Sequence, residues 1–427
     1  MTRPLIRPPR YTAEADEIRR VMAHSQAGTE RIVVVGSGWH YVSGISHYTY
    51  CLTTALSESY PTGALLMRRL VPLRFYPGRR HVGISLTNAD YPATIPVYDG
   101  VDWYWGQSLK GAFRYLDRER PTVLILQWWT GAVLHSYLRL ARYAKRRGAL
   151  VILEWHEGQD VGEAALPAAR LYVRSLLPRL LRIADAHVVH STFDLQSIRG
   201  SYDLRGCPAA VIPHGPYDHL VRPAGSSRDA LDGTPMRLLY LGVVRPFKGV
   251  EDLVDAFSLL DRQQARDFRL SIVGETWEGW TAAQEAITRS PHADLIERVD
   301  RYVTDVELAE YYQRADAVVL PYRRSSSSGP LQIAMSAGLP VIVTEVGGLI
   351  EAVQDYAGAE LVPARDPKAL RDALLRVRER RGQRYADPCS WTRTTQAYKD
   401  LIHKLRSGVP RPRREPSEIP ASGAEQP

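Results

Sequence analysis

Two short apolar runs separated by one helical pattern occupy the stretch from Ala315 to Gly348. The first run, AVVLPY, is followed by serines and a glycine, and the second, PVIVTE, also ends in glycines. Apolar runs of this length around one helix predict a βαβ unit with both strands in a parallel sheet. The serine-glycine turn then lies where a strand ends and a helix begins, and backbone N–H groups at such a position can bind phosphate. A capped turn without a ligand is the alternative.

The same alternation of strand-like and helical patterns continues along most of the 427 residues. It predicts two open α/β domains that face each other across a cleft, over residues 31–221 and 236–390. A polar segment rich in Gly, Ser and Pro predicts a linker at 222–235. Residues 1–30 form a leader that lacks the apolar core of a signal peptide, and residues 407–427 have the composition of a disordered tail.

Composition limits the partners. The formal net charge of +8 suits nucleic acid, an anionic membrane surface or phosphorylated small molecules. No nucleic-acid-binding motif is present, and no apolar run of about 18 residues predicts a membrane span. Arginine-rich helices such as YLRLARYAKRRG predict solvated faces, which could also rest on an anionic bilayer. The three widely spaced cysteines indicate neither disulfides nor a metal site, so we expect a cytoplasmic protein.

The first glycine-rich loop departs from a dinucleotide-binding fingerprint. Gly36 and Gly38 resemble its start, but Gly44 follows Gly38 by six residues and bulky side chains fill the loop between them. An NAD-dependent oxidoreductase is therefore disfavoured. A loop that brings the backbone of Gly44 close to a ligand is the better interpretation.

Two cations follow the strand RLLYLG of the second domain. Arg245 and Lys248 lie in the loop VVRPFKG, ahead of a helix. Cations fixed at this position can bind a diphosphate and neutralise the charge on a departing one. Two solvated loop charges are the alternative, but the serine-glycine turn independently proposes an anion site in the same sheet. Both loops would line one pocket if the strand order places them side by side.

The first domain offers polar and aromatic candidates at two strand ends. His156 and Glu157 follow the run LVILEW, and a histidine there can orient a sugar, act as a base, or be a satisfied loop residue. Trp128 and Trp129 end the preceding strand, where their rings could stack on a sugar or cap the core.

No metal site is predicted. His187 and His190 have the spacing HxxH, but the alternation of side chains along a strand turns them to opposite faces. There is also no carboxylate cluster that would suit magnesium.

Taken in order, several segments resemble the retaining nucleotide-sugar glycosyltransferases of family 4. They are SGISHYT, ADAHVVHS, VIPHG, LGVVRPFKGVEDLVDAF, LSIVGE, RYVTDVELAEYYQRADAVVLPYR and SAGLPVIVTEVGG. The resemblance covers residues 31–405. It implies the GT-B fold, in which a Rossmann-like acceptor-binding domain and a Rossmann-like donor-binding domain face each other across a cleft. It also implies that a final helix, at 391–405, packs back on the first domain.

The activity that this resemblance implies is transfer of a hexose from a nucleoside diphosphate sugar to a hydroxyl acceptor, with retained anomeric configuration. The family is metal-independent, so no cofactor is expected. The acceptor is expected to be a glycan or a lipid-linked molecule, in polysaccharide or lipid-linked glycan synthesis. Peripheral contact with the inner face of the plasma membrane stays open.

The resemblance also assigns roles to single residues. It implies a catalytic set of Arg245 and Lys248, which hold the donor diphosphate, and His156, which touches the transferred sugar. The residues that it implies for donor binding are Val303, Ser328, Gly329, Pro330 and Leu331. Those that it implies for acceptor binding are Gly44, Trp128, Trp129 and Glu157.

One departure from the family pattern concerns a pair of glutamates. Family members typically carry two glutamates separated by seven residues, and here those positions are Ser325 and Ile333. We therefore expect a sub-branch without this pair, whose hold on the donor depends on backbone amides and two cations. A sugar-nucleotide-binding protein without transferase activity is the alternative.

Overall fold

The computed structural model describes residues 30–39, 44–69, 89–102, 106–157, 167–221, 233–277 and 279–407. The predicted leader up to residue 29, most of the predicted linker and the predicted tail from residue 408 lie outside the described residues.

The first domain is built on a seven-stranded parallel sheet in the order β3-β2-β1-β4-β5-β6-β7. Its elements in chain order are β1 (Ile32–Ser37), α1 (Gly44–Ser57), β2 (Thr62–Arg69), β3 (Val97–Asp102), α2 (Gly106–Glu119), β4 (Val123–Trp128), α3 (Leu134–Lys145), β5 (Leu150–Trp155), α4 (Pro167–Leu181), β6 (Ala186–Val189), α5 (Thr192–Ser201) and β7 (Ala209–Val211).

The second domain is built on a six-stranded parallel sheet in the order β10-β9-β8-β11-β12-β13. Its elements are β8 (Met236–Leu241), α6 (Val250–Ser258), α7 (Arg262–Arg266), β9 (Phe268–Val273), α8 (Ala282–Arg289), β10 (Ile296–Val299), α9 (Asp305–Arg314), β11 (Ala317–Leu320), α10 (Gly329–Ser336), β12 (Val341–Thr344), α11 (Leu349–Val353), β13 (Ala359–Val362), α12 (Pro367–Arg378) and α13 (Trp391–Arg406).

Burial explains why the central strands are apolar throughout. Every residue of β4 is buried, and so is every residue of β11 and β12, because helices cover both faces of each sheet. The prediction of two doubly wound parallel α/β domains is confirmed. The capping box that opens α9 is formed by Thr304 and Glu307, as their spacing predicts.

The last helix, α13, returns to the first domain. Trp391 donates its ring N–H to the carbonyl of Pro216 at 2.9 Å, and the hydroxyl of Tyr398 donates to Glu154 of β5 at 2.6 Å. A side chain on Gly215 would overlap the ring of Trp391, so the helix lies close against this loop. Within the described ranges, no helix is long and apolar enough to cross a membrane.

Candidate active site

The loops that follow β8 and β11 lie side by side in the second domain, because these strands are neighbours in the sheet. The N–H of Arg323 donates to the carbonyl of Phe247 at 2.8 Å. Gly249 has a φ of +61°, and a side chain there would overlap the carbonyl of Pro321. The structure therefore places the two predicted anion-binding loops in one pocket.

The predicted cations of the first of these loops are packed against aromatic rings. The guanidinium carbon of Arg245 lies 4.9 Å from the ring centre of Phe247 and 5.6 Å from that of Trp277. The ammonium of Lys248 lies 3.6 Å from the ring centre of Tyr322. These contacts hold both charges in defined positions, which a pair of freely solvated loop cations would not have.

A third cation of this cluster, Arg324, was missed at the sequence level. Its guanidinium carbon lies 5.7 Å from the ring centre of Phe247. The adjacent Arg323 has a different role, because its charge is matched by Asp252 at 2.6 Å and by Glu251. No carboxylate within the described part of the chain pairs with Lys248 or Arg324. The doublet YRR after a strand was the available signal, but it did not show which arginine would be neutralised.

The amino terminus of α10 meets this cluster at Tyr322, whose hydroxyl accepts the hydroxyl of Ser328 at 3.4 Å and whose ring centre lies 3.6 Å from the ammonium of Lys248. Gly329 is its first residue and Pro330 its second. The hydroxyl of Ser328 caps the helix by accepting the N–H of Leu331 at 3.3 Å. The N–H of Leu331, which the resemblance assigns to the donor phosphates, is thus already engaged. Among described residues, the N–H of Gly329 has no hydrogen-bond partner and is the more available donor.

Gly44 of the first domain lies directly opposite this terminus. A side-chain carbon placed on Gly329 would lie 3.9 Å from the Cα of Gly44 and 3.5 Å from the ring of Tyr217. The hydroxyl of Tyr217 donates to the carbonyl of Gly44 at 2.7 Å. The structure therefore brings the backbone of Gly44 to the phosphate turn, and Tyr217 is a positioning residue that the sequence did not indicate.

His156 lies at the end of β5, on the first-domain side of the cleft. Its carbonyl accepts the hydroxyl of Ser326 at 3.4 Å, which links it to the serine loop. Its side chain is only 2% exposed, and both ring nitrogens point inward, Nδ1 towards Nε2 of His190 at 3.2 Å and Nε2 towards Glu154 at 3.8 Å. Burial, with His190 and His214 nearby, lowers the pKa of His156 well below its usual value. The ring is thus positioned beneath the cleft surface rather than projecting into it.

Glu154 is a buried carboxylate that the sequence analysis did not single out. Its Oε1 accepts the hydroxyls of Tyr48, on α1, and Tyr398, on α13, at 2.7 and 2.6 Å. Its Oε2 accepts the amide of Gln127 at 3.2 Å. Burial and the charge of Glu154 raise the pKa of both tyrosines well above 10, so both remain hydroxyl donors. A lone acid within the apolar run LVILEW was the available signal.

Trp128, assigned to the acceptor side, is instead a core residue. It is fully buried, and its ring centre lies 5.9 Å from that of Trp155, its neighbour across the sheet. The role of acceptor contact is therefore wrong for Trp128, because the covering helices leave it no surface. Trp129 is half-buried and packs edge-on against Tyr137.

A cavity of about 1060 Å³ joins the two sides of the cleft. Its lining in the second domain includes Lys248, Arg324 and Ser325–Ser327, and in the first domain His156, Glu157 and Phe193. Val303 is not among the lining residues and packs against the second-domain core. The two positions of the missing glutamate pair, Ser325 and Ile333, are both buried.

Further contacts hold the domains together beside the cavity. The carboxylate of Glu351, on α11, accepts the N–H groups of Thr192 and Phe193 at 2.7 and 2.8 Å, at the start of α5. Across the other side of the cleft, Nε2 of His47 lies 3.3 Å from a carboxylate oxygen of Asp305.

Comparison with known proteins agrees with this geometry. Residues 235–380 match the family described as "Glycosyl transferases group 1". A D-inositol 3-phosphate glycosyltransferase of Nocardiopsis dassonvillei is 31% identical in an alignment of 244 residues that covers 52% of this chain and 56% of that protein. Across the first three such relatives the matched segments cover 48% to 63% of the relative's length.

Solved structures extend the likeness to both domains. Sucrose-phosphate synthase from Thermosynechococcus elongatus has a TM-score of 0.60 at 17% identity, over 89% of this chain and all of that one. Anabaena HepE in complex with UDP has a TM-score of 0.58 at 12% identity, over 88% and 100%. These identities show the fold alone, and the predicted GT-B fold is confirmed. The segment that matches the glycosyltransferase group 1 family, residues 235–380, contains the strands β8 to β13 of the second domain.

Proposed function

We propose that the protein is a retaining glycosyltransferase that moves a hexose from a nucleoside diphosphate sugar to a hydroxyl acceptor. The observation that carries this proposal is the convergence of Arg245, Lys248 and Arg324 with the amino terminus of α10. Fixed cations and a helix terminus beside one cavity suit a diphosphate. The complex of Anabaena HepE with UDP supports a nucleotide donor for this fold.

In this proposal the cations act on the leaving group. The bond between the sugar's anomeric carbon and the diphosphate oxygen breaks while the acceptor oxygen bonds to the same face of that carbon. The acceptor's proton passes to the departing phosphate oxygen, so the protein supplies no nucleophile. Arg245, Lys248 and Arg324 stabilise the developing charge, and because aromatic rings already hold them in place they need little rearrangement. Three cations make a metal-independent reaction our expectation.

The first domain is proposed to bind the acceptor, with Glu157 lining the cavity and Gly44 opposite the amino terminus of α10. The relatives named D-inositol 3-phosphate glycosyltransferase make a phosphorylated polyol one acceptor to test, beside glycan and lipid-linked acceptors. A cytoplasmic enzyme in lipid-linked glycan or polysaccharide synthesis, with peripheral membrane contact, would suit the net charge of +8.

A second candidate is a sugar-nucleotide-binding protein without turnover. The observation that favours it is the absence of a carboxylate at Ser325 and Ile333, where the family carries its glutamate pair. Without a carboxylate that binds the ribose, the protein would bind the donor mainly through its diphosphate.

A thermal-shift screen of UDP, GDP, ADP and NAD, followed by donor turnover assays, tests both candidates. We expect stabilisation by a nucleoside diphosphate and transfer or slow hydrolysis of the matching sugar donor, also in the presence of EDTA. Arg245→Ala should abolish both effects, whereas Arg237→Ala, at an exposed arginine of β8, should leave them unchanged. Binding without turnover over a broad acceptor panel favours the second candidate, and stabilisation by NAD alone contradicts both.

A further inference from the structure

The buried histidines next to Glu154 have their ring protons fixed by one carbonyl group. Nδ1 of His190 lies 3.0 Å from the carbonyl oxygen of Ile212, which can only accept, so this nitrogen carries the proton of the neutral ring. Nε2 of His190 is then an acceptor and faces Nδ1 of His156 at 3.2 Å. The single proton of a neutral His156 therefore lies on Nδ1, and its Nε2 is left as a bare acceptor.

That bare nitrogen faces another acceptor. Nε2 of His156 lies 3.8 Å from Oε2 of Glu154. The side chains are 2% and 0% exposed, and the nitrogen has no hydrogen-bond partner among the described residues. A buried acceptor without a donor destabilises the folded chain, and a facing carboxylate adds repulsion. No positive or donating group of the described residues lies between these two atoms.

A bridging water does not fit between them. Two hydrogen bonds of about 2.8–3.0 Å at a near-tetrahedral angle span roughly 4.5–5 Å, whereas the gap is 3.8 Å. A direct hydrogen bond needs only a small approach of the two groups.

A metal ion is the other group that could satisfy them. Glu154, His156 and His190 each place one ligand atom within 4.8 Å of the others. The carboxylate, however, already accepts two tyrosine hydroxyls on Oε1 and an amide on Oε2. An ion would have to displace some of these donors, and a proton would not.

We infer that Glu154 and His156 hold one proton between Oε2 and Nε2, and that Glu154 is thereby a positioning residue for His156 and the serine loop. Glu154 acts through His156, whose carbonyl accepts the hydroxyl of Ser326 beside the proposed diphosphate site. The kinetic consequences rest on the proposed function, whereas the shared proton does not. The titratable groups that face the pair are Tyr48 on α1, Tyr137 on α3, Tyr398 on α13, His190 after β6, and His214 and Tyr217 after β7.

Nuclear magnetic resonance of protein labelled with ¹⁵N-histidine tests the proton directly. Because burial lowers the pKa of the His156 ring, the shared proton lies nearer Oε2 of Glu154. We therefore expect Nε2 of His156 at neutral pH to show the chemical shift of a hydrogen-bonded acceptor coupled to a slowly exchanging proton, assigned by its disappearance in His156→Gln. A resonance typical of a bare, unbonded Nε2 would overturn the inference. So would one equivalent of zinc that the purified wild-type protein retains through dialysis and loses in Glu154→Gln.

Kinetics of Glu154→Gln test the positioning role. The carboxamide keeps the shape and an oxygen for the tyrosine hydroxyls but cannot lose a proton to become an anion. We expect kcat to fall about 10- to 100-fold, as for other residues that orient a functional group, with donor KM changed less than about threefold. In the wild type, loss of the shared proton at high pH should lower kcat, and the variant should lack this alkaline limb.

His187→Gln is the matched control, because His187 is also fully buried in this sheet but contacts Trp155 on the opposite face. In His187→Gln, the decrease of kcat at high pH should equal that of the wild type. A wild-type kcat and pH profile in Glu154→Gln overturns the positioning role while leaving the proposed transferase intact. If no donor turns over in any variant, the proposed function fails and the resonance experiment still decides whether the proton is shared.

Discussion

The two sides of the cleft hold their polar groups in different ways. On the second-domain side, Lys248 and Arg324 line the cavity, and they and the buried Arg245 pack against aromatic rings. On the first-domain side, Glu154 accepts buried hydrogen bonds from two tyrosines and Gln127, beside the contacting rings of His156 and His190. Charge facing the cavity suits binding and release of an anion, whereas a buried polar network is suited to fixing geometry.

The largest effect is expected from removing one cavity cation. Lys248→Ala should lower kcat about 10²- to 10³-fold, because a fixed positive charge at the leaving diphosphate would be lost. Steady-state kinetics with the donor identified in the nucleotide screen measure this. Lys368→Ala, at an exposed lysine of α12, is the control and should match the wild type. A decrease in kcat of less than about threefold in Lys248→Ala would show that the charge of Lys248 does not stabilise the leaving diphosphate.

Gly249 tests whether the two second-domain loops depend on close backbone contact. Gly249→Ala combines a left-handed φ of +61° with overlap of the Pro321 carbonyl, so we expect a loss of about 3 kcal/mol or more in the free energy of unfolding. Gly148→Ala is matched, because Gly148 has a φ of +82° but open space around it, and should cost only about 1 kcal/mol. Urea unfolding compares them. Equal losses would mean that the contact with Pro321 is easily relieved.

The contrast between the two sides also explains what sequence could predict. Arg245, Lys248 and the serine-glycine turn lie in short loops directly after strands, and their neighbours follow from the order of a parallel sheet. Tyr48, Glu154, His190 and Tyr398 are brought together from four separate elements, one of them the last helix. No local spacing predicts such a group. Trp128 was misassigned for the same reason, since a strand-end tryptophan can face the cleft or a covering helix, and only the packing decides.

Acid should destabilise the protein through its buried first-domain histidines. Burial lowers the pKa of His187 and His219 to about 4 and that of His214 to about 3. Below the unfolded-state pKa of about 6.5, these histidines bind protons in the unfolded chain but stay neutral in the folded chain. Stability is therefore fully present above pH 6.5 and falls between pH 6.5 and about 4, by up to about 1.4 kcal/mol per pH unit for each histidine.

Urea unfolding at several pH values measures this dependence. His187→Gln should make it shallower, and His403→Gln, at an exposed position of α13, should leave it unchanged. A free energy of unfolding that stays constant from pH 7 to pH 5 would contradict the neutral, buried state of these histidines.

The smallest effect is expected at Glu351, where the two sides meet. Its carboxylate accepts two N–H groups at the amino terminus of α5, and an anion at such a terminus contributes about 0.3–1 kcal/mol. If the contact between Glu351 and α5 favours closure of the cleft between the two domains, Glu351→Gln should weaken binding of the nucleoside diphosphate about two- to fivefold. Calorimetry measures this affinity. The difference should shrink at high salt, because Glu351 is exposed.

Glu360→Gln provides the matched control, since Glu360 pairs with Arg376 within the second domain. The substitution Glu360→Gln should leave the affinity for the nucleoside diphosphate unchanged. An equal weakening in both variants would place the effect in the second domain's overall charge rather than in contact with α5. If only Glu351→Gln weakens binding, the nucleoside diphosphate binds more tightly when the first domain lies against the second. The first domain then contributes to nucleotide affinity through its contact with the second domain and not through charge.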